Sequence, residues 1–328
     1  LWGVLACMAF TSCYEEDTLT PTEGGVELRF KVPQGNNSWD NDIAQIYEDY
    51  NVYLIYKDLQ KEDFNRSWTG IAYGSGYEGQ GCINDEMTNY YVEFMKKHIF
   101  AYLNPPITSK VLPMYWYLGY NVHSKGVLEV GGVILASWIV PIHENYDGLD
   151  YWCTCMFGED NPSESYLIPT DREILDRRRK MILGPVLEKA VKAGNIIIPE
   201  EFEVGFDHVT NLIAGLGMED DPNFYLTRGY PGSVNTYVFS SISTPDNNSY
   251  PPTNEETFIG YMHLSMFYNQ ARLAEVYPAD KYPFLTEKFA FVQKYLKEKY
   301  QIDLEAIANG PEDWDLPLPT IQETPDEE

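Results

Sequence analysis

Three long stretches with helical spacing, Asp171 to Ala193, Glu255 to Val276 and Pro283 to Ala308, follow two runs rich in β-branched and aromatic residues, Val111 to Val122 and Val127 to Ile142. An apolar period near 3.6 held over some twenty residues has no place in a strand, and the two earlier runs have none in a helix. The chain therefore has to pack several helices against a sheet, an α+β fold. Phe258, Met262 and Met266 recur at i, i+4 and i+8, and Phe289, Val292, Tyr295 and Leu296 repeat the pattern, so both sets read as core faces. Upstream, Val26 to Val32 alternates like a strand, Asn41 to Tyr50 reads as a helix behind an Asp40 cap, Asn51 to Tyr56 as a strand, and residues 84 to 103 as a helix. Gly184-Pro185 is expected to kink or break the helix it interrupts.

At 328 residues the chain can bury a large single core. Lys and Arg number 23 against 50 Asp and Glu, a net charge of −27, which repels phosphate backbones and excludes nucleic acid as a partner. Aromatic residues make up 15%, which suits β-rich cores and recognition surfaces alike.

The first residues, Leu1 to Phe10, form a short apolar run followed by Thr11-Ser12-Cys13. Ten apolar residues are too few to span a bilayer as a finished helix and match the hydrophobic part of a secretory signal, truncated at its start. Small residues leading into a Cys resemble a bacterial lipobox, with Cys13 as the point of lipid attachment; Phe10 stands where Leu is usual. The acidic Tyr14-Glu15-Glu16-Asp17 that follows resembles the surface-export signal of Bacteroidetes lipoproteins. On this reading residues 1–13 are a signal segment, 14–25 an acidic tether, 26–310 one domain, and 311–328 an acidic disordered tail. Once Cys7 is removed and Cys13 lipidated, Cys82, Cys153 and Cys155 remain, an odd number that builds no complete disulfide framework.

Two local motifs invite chemistry and resist it. Gly74-Ser-Gly76-Tyr-Glu-Gly79 spells a dinucleotide fingerprint, but Gln80, Gly81 and Cys82 separate it from the next helix, so a flexible loop is the better reading. His143-Glu144-Asn145-Tyr146-Asp147 resembles a zinc-peptidase pentad with its last ligand replaced, yet Pro141 and Gly148 bracket it and favour an exposed turn. His143 with Cys153 and Cys155 would be the one rearranged metal set.

Several segments together resemble a known family. They are Tyr47 to Lys57 (YEDYNVYLIYK), Tyr91 to Lys97 (YVEFMKK), Pro199 to Phe202 (PEEF), Asn254 to Gly260 (NEETFIG) and Val292 to Leu304 (VQKYLKEKYQIDL). In order and spacing they are similar to the zinc-binding metallopeptidase lipoproteins of Bacteroidetes, also described as substrate import-associated zinc metallohydrolase lipoproteins, which accompany TonB-dependent nutrient-import systems. The resemblance implies a zincin-like, metallopeptidase-type α+β domain, a mixed sheet with several packed helices. Members of active type carry H-E-x-x-H about a dozen residues before the Pro-x-x-Phe element, which falls here on Pro185-Val-Leu-Glu-Lys189. The downstream acidic ligand, in a motif like E-D-F-A-E, falls on Gly260. Pro and Gly offer no side-chain ligand, and Lys189 would put an ammonium where the cation belongs. Glu188 without a metal does not make a peptidase.

The implied protein is a divergent, pseudoenzyme-like member with degenerate ligand positions Pro185, Lys189 and Gly260, no catalytic residue and no cofactor. It would be lipid-anchored at the outer membrane, facing the cell surface, as a binding or accessory component of a TonB-dependent transporter complex with a glycan or peptide ligand. The alternative is an active metal-dependent hydrolase using a rearranged site.

Overall fold

The computed structural model describes residues 28–66, 76–146, 148–158 and 171–320. Two compact units divide the chain, Leu1–Lys31 and Val32–Glu328. Of the first only residues 28–31 are described, and neither they nor Val32 form a strand, contrary to the alternation in Val26 to Val32. Cys13 and the acidic segment behind it lie outside the described residues.

The second unit opens with helix α1, Ser38–Tyr50. Asn37 is its N-cap and Asp40, expected as the cap, instead accepts a hydrogen bond at the third helical position from the Asn37 N–H at 2.8 Å. Such a reciprocal box satisfies two of the amide donors that a helix start leaves open. Strand β1, Tyr53–Ile55, and strand β2, Tyr77–Gln80, follow. The glycine-rich motif thus runs into a strand, not a helix start, with Gly74 outside the described residues.

Helix α2, Asp85–Phe94, continues through a wider π turn at Met95–Ile99 and a tighter one at Phe100–Tyr102, and α3 is a single turn, Pro105–Thr108. Strand β3, Tyr115–Val130, then turns at Gly131-Gly132 into β4, Val133–Pro141. The first strand is longer than expected because its polar stretch at His123 to Gly126 pairs with β4 rather than forming the turn. Both turn glycines have positive φ, +62° and +83°, the conformation that a two-residue hairpin turn demands. Edge strand β5, Glu144–Asn145, and strand β6, Tyr151–Phe157, complete the sheet.

That sheet is mixed, as the family resemblance implies. Its path is β1-β3-β6-β5, with β2 and β4 also paired to β3. β1 and β6 run parallel to the first half of β3, and the other pairings are antiparallel. Where β3 and β6 run parallel, the residues are buried almost without interruption, the pattern of strands covered on both faces. A bulge leaves Met156 unmatched between the pairs Gly119↔Cys155 and Tyr120↔Phe157. Tyr91 of α2 repairs it: its hydroxyl accepts from the Met156 N–H at 2.7 Å and donates to the Thr154 carbonyl at 2.7 Å.

The helical half follows. Helix α4 spans Arg172–Lys192, and α5 is one turn, Glu200–Glu203. A small ribbon of β7, Ser233–Val234, and β8, Ile242–Ser243, precedes α6, Asn254–Phe267. Two expected helices are each two. Asn269 caps a separate α7, Gln270–Val276, accepting from the Arg272 N–H. The left-handed Gln301 ends α8, Pro283–Tyr300, before Asp303 caps α9, Leu304–Asn309. Phe258, Met262, Met266, Phe289, Val292 and Leu296 are buried in one core that also takes in Trp116, Phe94 and Tyr91. Residues 311–320 pack onto the body through Trp314, whose ring meets His98 edge-on at 4.5 Å, where a disordered tail was expected. The Thr320 N–H donates to Glu86 at 3.0 Å, and residues 321–328 lie outside the described ones.

Candidate functional site

Helix α4 builds one wall of the site. Asp171 caps it, accepting from the Ile174 N–H at 2.9 Å, and the helix then runs 21 residues without a break. Pro185 sits inside it, so the expected interruption does not occur. A proline lacks the N–H that would bond four residues back, here to the Met181 carbonyl. Tyr146 reaches that carbonyl with its hydroxyl at 3.4 Å, and its ring lies edge-on to Trp152 at 4.9 Å. The freed acceptor is thereby partly satisfied, and flanking buried Ile182, Leu183, Val186 and Leu187 hold the helix against the core.

The opposite wall is the sheet edge. Glu144 and Asn145 pair with Thr154 and Cys153, and the Cys155 N–H donates to the His143 carbonyl at 2.6 Å. The pentad is therefore not helical, but neither is it the exposed turn expected, because this pairing buries His143 and draws the Glu144 side chain inward to 7% exposure. Arg178 of α4, buried at 1%, stands with its Nη1 3.7 Å from Glu144 Oε2. That separation is an ion pair but too long for a hydrogen bond, and neither Glu144 oxygen has a hydrogen-bond partner among the described residues. Burial pushes the Glu144 carboxyl up to about 7, against the pull of Arg178. Burial, with Arg178 adding to it, pushes His143 down to about 3. At neutral pH the imidazole is thus uncharged and the carboxyl is divided between its two forms.

Between these walls lies a cavity of about 230 Å³, lined by Ile142, His143, Glu144, Tyr146, Met181, Pro185, Thr236 and Tyr237. It is mostly apolar, with a few polar groups at one side, the usual character of a small-ligand pocket. Tyr237 stands 77% exposed at its rim.

Pro185 alone of the three predicted ligand positions lines this cavity. Lys189, one turn on, lays its ammonium 5.7 Å from the centre of the Trp152 ring, a cation–π contact. Gly260 lies on α6, where a side chain would meet nothing within 4 Å, so crowding does not explain the glycine. Helix α6 meets α4 through His263, which faces Gly184 and stands with its Nε2 3.9 Å from Glu188 Oε2. Burial pushes His263 down, opposed by Glu188. This pair and Arg178 escaped the sequence reading. Arg178 was detectable: Leu175, Arg178 or Arg179, and Ile182 follow helical spacing, which places a guanidinium on the core face.

Cys153 and Cys155 are buried, and burial pushes Cys155 up to about 11 and Cys153 well above its ordinary value. In the metal-free fold both are therefore held as thiols at neutral pH. Among the described residues no three His, Cys, Asp or Glu side chains converge in a way that could hold a metal ion. The described residues thus do not supply the about three protein ligands and open position that a catalytic zinc needs.

No protein-family model matches the chain, and no curated protein matches it. Among solved structures it is similar to a crystal structure of a “putative zinc-binding metallo-peptidase” from Bacteroides caccae, with 13% identity, a TM-score of 0.39, and 84% of this chain and 92% of that one covered. The architecture itself, α+β with a mixed sheet and several packed helices, is the class of protein defined here.

Proposed function

We propose that this is a lipid-anchored, surface-facing lipoprotein, attached through Cys13, whose zincin-like domain is a divergent relative of the Bacteroidetes zinc-binding metallopeptidases and binds a ligand without cleaving it. The observation that carries the reading is the composition of the cavity wall. Pro185 stands where the family resemblance puts a metal ligand, and Glu144, the one carboxylate among the described residues lining the cavity, already faces the fixed cation of Arg178. A second, divalent cation would meet that guanidinium's charge at short range, where low dielectric magnifies repulsion. What remains is an apolar pocket with an aromatic rim, suited to one sugar ring or one peptide side chain. Its place would be as an accessory subunit of a TonB-dependent import complex. An active hydrolase with a rearranged site would need Cys153, Cys155 and His143 as ligands, and among the described residues these three do not converge on a point that could hold a metal ion.

The test is elemental analysis of residues 32–328 after zinc loading and exhaustive dialysis. We expect well under a stoichiometric amount of zinc. Near one equivalent, lost on changing His143 or Glu188, would overturn the reading. Co-purification of an outer-membrane transporter with the lipidated protein tests the partner separately.

A further inference from the structure

The β3–β4 hairpin leaves the body of the protein. Among the described residues, β3 past Ser124, where β2 stops pairing, has only β4 beside it, and β4 pairs with nothing else. This two-stranded ribbon carries Val127, Leu128, Val130, Val133, Ile134, Leu135, Trp138, Ile139 and Val140, each between 41% and 62% exposed. Their combined open area is on the order of the 800 Å² per partner that a standard interface buries, well beyond scattered surface apolar residues. Glu129 is the only polar side chain from Val127 to Ala136.

The register sorts the ribbon into two faces. Leu128 with Ala136, Val130 with Val133, and Trp138 over Gly126 share one face, which is wholly apolar. The other mixes Val127, Ile134 and Ile139 with Lys125, Glu129 and Ser137. A flat protein partner would cover the first and leave the second in water. A medium that surrounds the tip covers both.

We infer that the hairpin tip is a lipid-docking wedge that inserts Val130, Val133, Ile134 and Leu135 into the headgroup–acyl boundary of a bilayer. Three to four residues per strand advance roughly 10 Å at about 3.3 Å each, the depth at which interfacial elements settle. The limit has a physical cause. Among the described residues both long edges of the ribbon are unpaired, and open N–H and C=O groups are too costly to bury in the hydrocarbon core but are hydrated at headgroup depth. Trp138 and Lys125, near the base, are residue types that sit at that level. Charge separates this surface from the rest of the chain: the ribbon has one Lys and one Glu, whereas the chain carries −27. Attraction to the lipid therefore comes from apolar area, and the bilayer it fits is zwitterionic, since the body repels an anionic one. The inference is independent of the lipid at Cys13.

The experiment uses residues 32–328, a compact unit that excludes the proposed anchor. The protein is co-sedimented with phosphatidylcholine vesicles at low and high salt. We expect binding that does not weaken with salt, that does not strengthen when phosphatidylglycerol is added, and that falls at least about tenfold in Val133→Glu/Leu135→Glu. Both sites are exposed, so this variant keeps the fold, which circular dichroism verifies. Brominated acyl chains should quench fluorescence in the parent and much less in Trp138→Phe. Absence of binding overturns the inference, as does binding indifferent to the double variant. Binding that grows with anionic lipid overturns it too. A lipid-free dimer by light scattering that the double variant dissolves would do the same, since it would mean the open edges pair with a second copy.

Discussion

Glu144 and His143 line the cavity, with Arg178 packed against Glu144, and the titration of the first two is a direct way to read it. The Glu144 carboxyl rises from 4.5 to about 7 on folding, so the folded protein holds this proton more tightly than the unfolded chain. Its contribution is fully present below pH 4.5 and is lost as the pH climbs through about 7. His143 does the reverse: dropping from 6.5 to about 3, it favours folding progressively as pH rises between those values. Glu144→Gln removes the first effect and leaves the second. Denaturant melts from pH 4.5 to 8 should therefore show the variant gaining on the parent as pH rises, by up to about 3 kcal/mol. A constant difference across that range would place the Glu144 carboxyl in water. The sequence named His143 and Glu144 but misjudged their burial, because a two-residue edge strand such as Glu144–Asn145 leaves almost no periodic signal.

At the level of elements, α4 shows why a local rule was overridden. Interior proline costs about 3 kcal/mol in an isolated helix, and on that basis a break at Pro185 was the sound expectation. Packing on both sides of Met181 to Leu187 and the hydroxyl of Tyr146 supply what the backbone lacks. Pro185→Ala should accordingly raise the unfolding free energy, by about 1–3 kcal/mol, while Tyr146→Phe lowers it by about 1 kcal/mol. In the double variant the effect of Tyr146→Phe should shrink, since the backbone N–H restored by Pro185→Ala would donate to the Met181 carbonyl itself. Additive effects would show that the hydroxyl serves some other purpose. Element type was legible wherever the apolar period was long, as in α4, α6 and α8. The breaks were not: Asn269 and Asp303 act as caps only through side-chain bonds to backbone N–H groups three residues on.

For the whole molecule, the balance of sheet and helices was readable from composition and period, whereas the pairing of β3 with four other strands depends on contacts far apart in sequence. The charge of −27 belongs to this scale as well. Self-repulsion of that size is relieved by screening, and the Debye length shrinks from about 10 Å at 0.1 M salt to about 3 Å at 1 M. The melting temperature of residues 32–328 should thus climb with sodium chloride; a flat response would mean that the acidic groups are locally neutralised.

Trp314 and Thr320 reach back to α2, more than two hundred residues earlier: Trp314 covers His98 and Tyr90, and Thr320 exchanges hydrogen bonds with Asn84 and Glu86. While the ribosome is still making the chain, α2 is built early and stays uncovered on that side until these residues emerge. That side of the helix is therefore closed only once residues 314–320 have left the ribosome, and a chain stopped a few codons before Trp314 would carry an open aromatic seam for proteases to find.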